Sequence, residues 1–391
     1  MIDEKRISKN VETFSFPRLS GTEFEKKSCS LAKQKIEELN LIPHIQKFTF
    51  SVFYSRVFPK LALILLSWLL LVLFLRFNFL FIFLNSSLIL SLLIVLIGFT
   101  RSPENIKLGE TYHSNNLFVK VPMRTNEHHS QEDTSNEFFK KEKNILLFSH
   151  LDSKGQSISI KIRVLSYKIW IVSFAMGILI IFLNATFFNN NILLDLFVGI
   201  IIVCNFVVSG FIVFNTTNNN SKGAIDDASG ISCVIELLQH YSVPENRPKN
   251  FNLWFVFTGA EESGTMGIRN FYRCCIQDLD RKNTYIINFD SIAHHAILYD
   301  HGLINKNNFK SNQYIFDNSE HLSLKEAKKF YIGTYSDGLF LYNRKFKGLG
   351  IGDKSVYRYI HSTGDEIDKI NIVLLKKLCE LITILLKDID Y

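Results

Sequence analysis

The chain has 391 residues, a formal charge of +7 and 47% hydrophobic residues, among them 35 phenylalanines. That length allows one large domain or two ordinary ones, and the apolar excess gathers in a few segments, as membrane spans require. The 44 Lys and Arg are scattered among 37 Asp and Glu, with no basic helix, finger or RNA-binding signature, which excludes a nucleic-acid partner and points the basic excess at a membrane surface.

Residues 1–56 open on the polar stretch MIDEKRISKN, which argues against a cleaved signal peptide. SGTEFEKKSCSLAKQKIEELN predicts a helix capped by Ser20, with Phe24, Leu31, Ala32, Ile36 and Leu39 at helical spacing. IQKFTFSVF alternates as a strand. Within residues 57–100 lie two apolar runs, Leu61–Leu75 and Phe79–Phe99, parted by Arg76–Asn78. Residues 101–167 carry the strand-like NNLFVKV and NILLFSH around a polar loop, and residues 168–214 the apolar runs Ile169–Phe188 and Ile192–Phe214. Residues 215–391 then alternate: helix ASGISCVIELLQHY, strand FNLWFVFT, helix GTMGIRNFYRCC, strand TYIINFD, strand FKGLGIG and a closing helix over Ile370–Leu386. Strands alternating with helices predict an α/β layer fold with a largely parallel or mixed sheet. The six cysteines show no C-x-x-C and no regular spacing, which predicts free thiols in a reducing compartment.

The four apolar runs carry no amphipathic stripe and fit spanning helices in two hairpins. Two hairpins return the chain to one side twice, so all polar segments share one face of the bilayer. Arg56, Lys60, Arg101, Lys107, Lys161, Arg163, Lys168 and Lys222 flank the spans on that face, against Arg76 alone on the other. The positive-inside rule then predicts an integral, multi-pass protein with its polar part on the cytosolic side. The sequons at Asn85 and Asn184 lie near the opposite face, which does not conflict.

In an α/β sheet, sites gather at the carboxyl ends of strands. His150 ends NILLFSH and is followed by Asp152; Asp226 and Asp227 precede a helix; Glu261 and Glu262 follow FNLWFVFTGA; Asp290 ends TYIINFD; His361 opens HSTGDEID. Each alone has an ordinary structural explanation, such as acids complementing a helix N-terminus. Together they offer the oxygen and nitrogen ligands that zinc accepts, and the small residues around Asp226 leave room for a carboxylate shared by two ions. His128, His129, His294 and His295 are further histidines, the first pair in a polar loop and the second after Asp290.

HLDS, GAIDDASG, GAEESG, NFD, SDGLF and HSTGDEIDKI occur in the order found in the co-catalytic zinc exopeptidases, the family of bacterial leucyl aminopeptidase and the glutaminyl cyclases, which the sequence resembles. FPRLSGTEFEKKS and IEELNLI resemble that family's N-terminal entry. The resemblance implies a three-layer zinc-exopeptidase fold with a mixed central sheet flanked by helices; the four transmembrane helices read from the apolar runs interrupt it as two inserted hairpins, which the family pattern does not account for. It implies two zinc ions bridged by Asp226, one completed by His150 and Asp290 and the other by Glu262 and His361. Glu261 becomes the general base, acting on a metal-bridging hydroxide, and Asp152 holds His150. Asp227 is joined to Asp226 by a cis peptide, Asp365 lies behind the ligands and Asp337 lies on the substrate side. The implied activity is removal of N-terminal residues from peptides at a site near the bilayer. Carboxypeptidase or dipeptidase action, glutaminyl cyclisation and an inactive receptor or scaffold are the alternatives. Ile225 stands where some members have a third acid, and the second hairpin separates His150 from Asp226.

Overall fold

The computed structural model describes residues 1–124, 142–277, 279–303, 321–326 and 336–390. The chain divides into two compact units, one of Met1–Thr49, Tyr112–Gly155 and Asn218–Tyr391, the other of Phe50–Thr111 and Gln156–Thr217. In chain order the main helices are α1 (Glu4–Phe14), α2 (Glu23–Glu37), α3 (Phe58–Phe74), α4 (Phe79–Thr100), α5 (Ile160–Thr186), α6 (Ile192–Val213), α7 (Ser229–Ser242), α8 (Met266–Phe271), α9 (Asp337–Tyr342) and α10 (Ile372–Asp390). The strands are β1 (His44–Ser51), β2 (Thr111–Val121), β3 (Asn144–His150), β4 (Gly155–Gln156), β5 (Thr217–Asn218), β6 (Asn252–Thr258), β7 (Thr284–Phe289), β8 (Ala296–His301), β9 (Leu322–Glu326) and β10 (Lys347–Gly352).

Eight strands form one mixed sheet in the order β1-β2-β6-β3-β7-β10-β8-β9. Its centre, β6-β3-β7-β10, is parallel, and β2 and β8 join it antiparallel on either side. Every residue of β3 is buried, as a parallel strand covered on both faces must be. Ile145 and Leu147 face a layer containing α1, α2, α7 and α10, whereas Leu146 and Phe148 face α8 and α9. These are the three layers expected. The four parallel strands end at Thr258, His150, Phe289 and Gly352, so the residues that follow share one edge of the sheet.

The sequence reading passes over α1. Asp3 caps it, and Ile7, Val11 and Phe14 form its buried face at the i, i+4, i+7 spacing of an amphipathic helix. In α2, Thr22 rather than Ser20 holds the cap position. Ser20 turns inward and donates to Asp152 Oδ2 at 2.5 Å. The buried stripe of α2 runs through Glu25, Ser28, Cys29, Ala32 and Ile36, which leaves Phe24 51% exposed where the periodicity placed it in the core. The helix GTMGIRNFYRCC is shorter than expected: α8 spans Met266–Phe271 and gives way to a π-helical turn, Tyr272–Ile276.

Glu25 heads the α2 stripe because its carboxyl is used there, accepting from the N–H groups of Gly21 (2.6 Å) and Ala260 (2.7 Å) and from Ser114 Oγ (2.7 Å). Burial, reinforced by the charge of Asp152, raises this carboxyl from 4.5 to about 8. Between those values the unfolded chain has lost a proton that the folded protein keeps. The stabilisation from Glu25 is therefore complete below about pH 4.5 and is lost as pH rises through about 8. Within that window the metal-free protein should lose up to about 1.4 kcal/mol of stability per pH unit from this group. Urea unfolding of Glu25→Gln across the window should show a flatter pH dependence; identical slopes in variant and parent would rule Glu25 out as the titrating group.

In the second unit, α4, α5, α6 and the helical stretch Phe53–Phe74, which is α3 with the π-helical turn before it, are each long and apolar enough to cross a membrane. α3 starts at Phe58, with Pro59 in its first turn, a position proline favours. α5 starts at Ile160 rather than Ile169, because Ser159 caps it; Lys161, Arg163 and Lys168 consequently lie within the helix. One polar cluster fastens α3, α5 and α6. Ser67 Oγ donates to Asn205 Oδ1 (2.8 Å), Trp170 Nε1 donates to Ser67 Oγ (3.1 Å), and Asn205 Nδ2 donates to Ser173 Oγ (2.9 Å). Such bonds contribute about 0.6 kcal/mol each between helices in lipid. A Cβ on Gly177 would lie 2.9 Å from Leu70 Cδ1, so a larger residue there would require the Leu70 side chain to shift. Arg76 pairs with Asp195 at 2.6 Å, and Asn184 Nδ2 donates to the same Oδ1 at 2.8 Å.

Candidate active site

SKGAIDDASGIS forms the turn into α7. Gly223 has φ +61°, and a Cβ there would meet Ser153 Cβ at 2.5 Å and Asp226 O at 2.7 Å, so only glycine fits. Arg18 is fully buried and grips this turn through backbone carbonyls. Its Nη1 donates to Lys222 O (2.9 Å), its Nη2 to Gly223 O (3.1 Å) and its Nε to Leu151 O (2.9 Å), just past β3. Asp365 holds the same turn from another side, accepting from Ile225 N–H (2.6 Å) and Ser221 Oγ (3.2 Å).

The Asp226–Asp227 peptide is cis. The two carboxylates have different tasks. Asp227 accepts from the backbone N–H groups of His150 (3.2 Å), Gly230 (3.0 Å) and Ser291 (3.3 Å), tying the end of β3, α7 and the loop after β7 to one point. Asp226 points each of its oxygens at a different histidine: Oδ1 is 3.0 Å from His150 Nε2, and Oδ2 is 3.2 Å from His361 Nε2.

Two groups of ligand-type atoms result, His150–Asp226–Asp290 and Asp226–Glu262–His361, the atoms of each lying within 4.8 Å of one another. They suit divalent cations on two counts. First, they share a single carboxylate that gives one oxygen to each. Second, Glu262 Oε1 is buried without a hydrogen-bond partner among the described residues although His361 Nε2 lies 2.8 Å away, the posture of two ligand atoms facing a common cation. All the donors are carboxylate oxygen or imidazole nitrogen, which zinc accepts. Glu261 belongs to neither group and is 8% exposed.

Asp152 lies deeper than the ligands. Its Oδ1 and Oδ2 accept from the backbone N–H groups of Glu261 and Glu262, both at 3.0 Å, so it fixes the turn that carries both glutamates. His150 Nδ1 is 3.1 Å from the carbonyl oxygen of Asp152 and 3.4 Å from its Oδ1. Asp337, in the first turn of α9, is buried; Oδ2 accepts from Thr258 Oγ1, at the end of β6, and Oδ1 has no hydrogen-bond partner among the described residues.

The electrostatics follow from crowding acids in a buried space. Burial disfavours charge on Asp226, but the bonds from His150 and His361 outweigh it and hold this carboxyl well below its usual range. Burial likewise opposes ionisation of Glu262, and the charges of His361 and Lys154 bring it down to about 2. Burial pushes Asp290 up to about 6, helped by the Asp226 charge, and raises Glu261 well above the usual glutamate value. Asp337 and Asp365 each rise to about 7, again chiefly by burial. Both imidazoles are raised above 6.5, because the surrounding carboxylates overcome the opposing effect of burial.

Three contributors escape the sequence reading: Arg18, Ser20 and Lys154, whose Nζ lies 2.6 Å from Glu262 Oε2. A fourth is Asp353, whose Oδ2 accepts from the N–H groups of His294 (3.0 Å) and His295 (2.8 Å), so that histidine pair meets the chain around β10 through its backbone. His128 and His129 lie outside the described residues.

The chain is similar to several solved structures. An aminopeptidase from Aneurinibacillus sp. strain AM-1 matches with a TM-score of 0.56 at 12% identity, over 98% of this chain and 93% of that one. BSAP, a zinc aminopeptidase from Bacillus subtilis, matches at 0.55 and 12% over 99% and 95%. The Acidobacteriales bacterium glutaminyl cyclase matches at 0.54 and 13% over 100% and 95%. At these identities the likeness concerns the fold. No curated protein sequence matches the chain significantly. A family model, Peptidase family M28, matches residues 208–385, the stretch that carries the Asp226 turn, the paired glutamates, Asp290 and His361. The matched stretch is somewhat less than half of the chain; over it the sequence is similar to Peptidase family M28, in agreement with the fold and with the order of the motifs.

Proposed function

We propose that the protein is a membrane-bound, zinc-dependent aminopeptidase that removes N-terminal residues from peptides. The observation that carries this reading is Asp226, with one oxygen facing each of two ligand groups and Glu261 outside both. His150, Asp226 and Asp290 would hold one zinc, and Asp226, Glu262 and His361 the other. When bound, two zinc ions supply Lewis acidity that activates water and polarises the scissile carbonyl.

The protein's own residues do the rest. Glu261 takes the proton of the attacking water and returns it to the leaving amine. Asp152 sets where that glutamate stands by holding the N–H groups of Glu261 and Glu262. Asp227, Asp365 and Arg18 fix the turn that presents Asp226. Asp337, with one oxygen uncommitted, stands on the substrate side. The four apolar helices anchor the chain in a bilayer, with the catalytic unit on the cytosolic side.

Protein purified in detergent should contain about two zinc ions, the stoichiometry of a shared-carboxylate site, and release free amino acid from aminoacyl-amides. A peptide blocked at its N-terminus should survive, and one blocked at its C-terminus should be trimmed. Trimming from the C-terminus would assign carboxypeptidase action instead. Loss of ammonia from an N-terminal glutamine, without release of an amino acid, would favour the cyclase reading. Protein without zinc and without hydrolysis would defeat both.

A further inference from the structure

Lys154 has no task in the peptidase reading, yet it is built into the ligand shell. Its side chain is only 13% exposed, and Nζ lies 2.6 Å from Glu262 Oε2 and 3.3 Å from Glu262 O. Its backbone is held in place. The preceding Ser153 accepts from Arg18 N–H (2.9 Å) and donates to Ser221 O (3.3 Å), and the following Gly155 opens β4.

Glu262 is therefore divided. Oε2 is taken by an ammonium, and Oε1, 2.8 Å from His361 Nε2, is left to face the cation position. The other group differs. Asp290 accepts from the neutral hydroxyl of Ser291 at 2.9 Å, and His150 is flanked by the carboxylates of Asp152 and Asp226. Among the described residues, one position thus has an ammonium against its only unshared carboxylate, and the unshared carboxylate of the other, Asp290, is met by a neutral hydroxyl instead.

We infer that Lys154 makes the two cation positions unequal, tying Glu262 down as a one-oxygen donor and weakening the ion held by Glu262 and His361 relative to the ion held by His150 and Asp290. This rests on the two-ion reading of the site. A positive charge close to a cation position opposes binding there, and altering an outer partner of a metal ligand changes metal affinity by roughly ten- to a hundredfold. The second ion is then the exchangeable one, and Lys154 is a positioning residue that sets its occupancy.

The test is titration of metal-free, full-length protein in detergent with Zn²⁺ alone and with Co²⁺ alone, the latter read by visible absorption. The parent should bind two ions in steps separated by at least about tenfold. Lys154→Met should tighten the second step by roughly tenfold or more and leave the first nearly unchanged. Lys154→Arg, which keeps the charge, should resemble the parent. Melting of each metal-free variant shows that it is folded. A second step unmoved in Lys154→Met, equal shifts in both variants, or two equal steps in the parent would overturn the inference while leaving the two-ion site standing. A parent that takes up one ion or none would remove that site, and the inference with it.

Discussion

Glu261→Gln should keep its zinc and lose between about 10² and 10⁴ of its turnover, the range that a positioned general base contributes. Glutamine has nearly the same shape and cannot accept a proton from water. The substitution leaves the ligand groups intact, because neither contains Glu261. It also leaves the local backbone intact, because the bond from this residue to Asp152 Oδ1 is made by the main-chain N–H. Zinc analysis and melting should therefore match the parent while aminoacyl-amide hydrolysis collapses, with kcat affected far more than KM. An unaltered rate would remove Glu261 from the mechanism. Loss of zinc in the variant would mean that Glu261 is a ligand and that the roles of the two adjacent glutamates need reassigning.

How the site is held was less readable from the sequence than what it contains. His150, Glu262, Asp290 and His361 could be singled out because ligand-type residues stand after strand-like runs, and Asp226 because it stands in a small-residue turn that opens a helix, local signals that the parallel centre of the sheet turns into proximity. The supporting shell gave no such signal. Arg18 reaches Gly223 across 205 positions of chain, and Glu25 reaches Ala260 across 235. These bonds exist only once the sheet has formed, and in the sequence both residues look like ordinary surface charges. Ser20 misled for a related reason. A serine before a helical stretch is a good cap by local rules, but here it bonds Asp152 instead. The start of α5 moved because Ser159 supplies a real cap, and hydropathy, which marks where a helix can enter lipid, takes no account of caps. α1 was readable from Ile7, Val11 and Phe14, and was hidden by the charged residues between them.

Asp226→Asn should cost more than any single change elsewhere in the ligand groups. The two oxygens of Asp226 face His150 at 3.0 Å and His361 at 3.2 Å, so its charge is counted in both positions. An asparagine has one acceptor oxygen and no charge. It can serve at most one group, and its NH₂ would turn a donor toward the other. His361→Ala or Asp290→Asn, by contrast, removes a donor from one group and leaves the other whole. The expected order is then specific. His361→Ala and Asp290→Asn should each retain about one zinc, the ion of the untouched group, whereas Asp226→Asn should retain less than one. Zinc stabilises the folded state with the logarithm of its excess over Kd, by about 2.7 kcal/mol at a hundredfold excess. The zinc-dependent rise in melting temperature should therefore be partial in the first two variants and nearly absent in Asp226→Asn. Turnover of Asp226→Asn should be at background. Because Asp227, Asp365 and Arg18 hold the turn independently of the Asp226 side chain, the metal-free variant should still fold and melt cooperatively, which separates loss of metal from loss of structure. If Asp226→Asn instead keeps one tightly bound zinc and behaves like His361→Ala, the shared-carboxylate reading is wrong, and Asp226 serves one ion only.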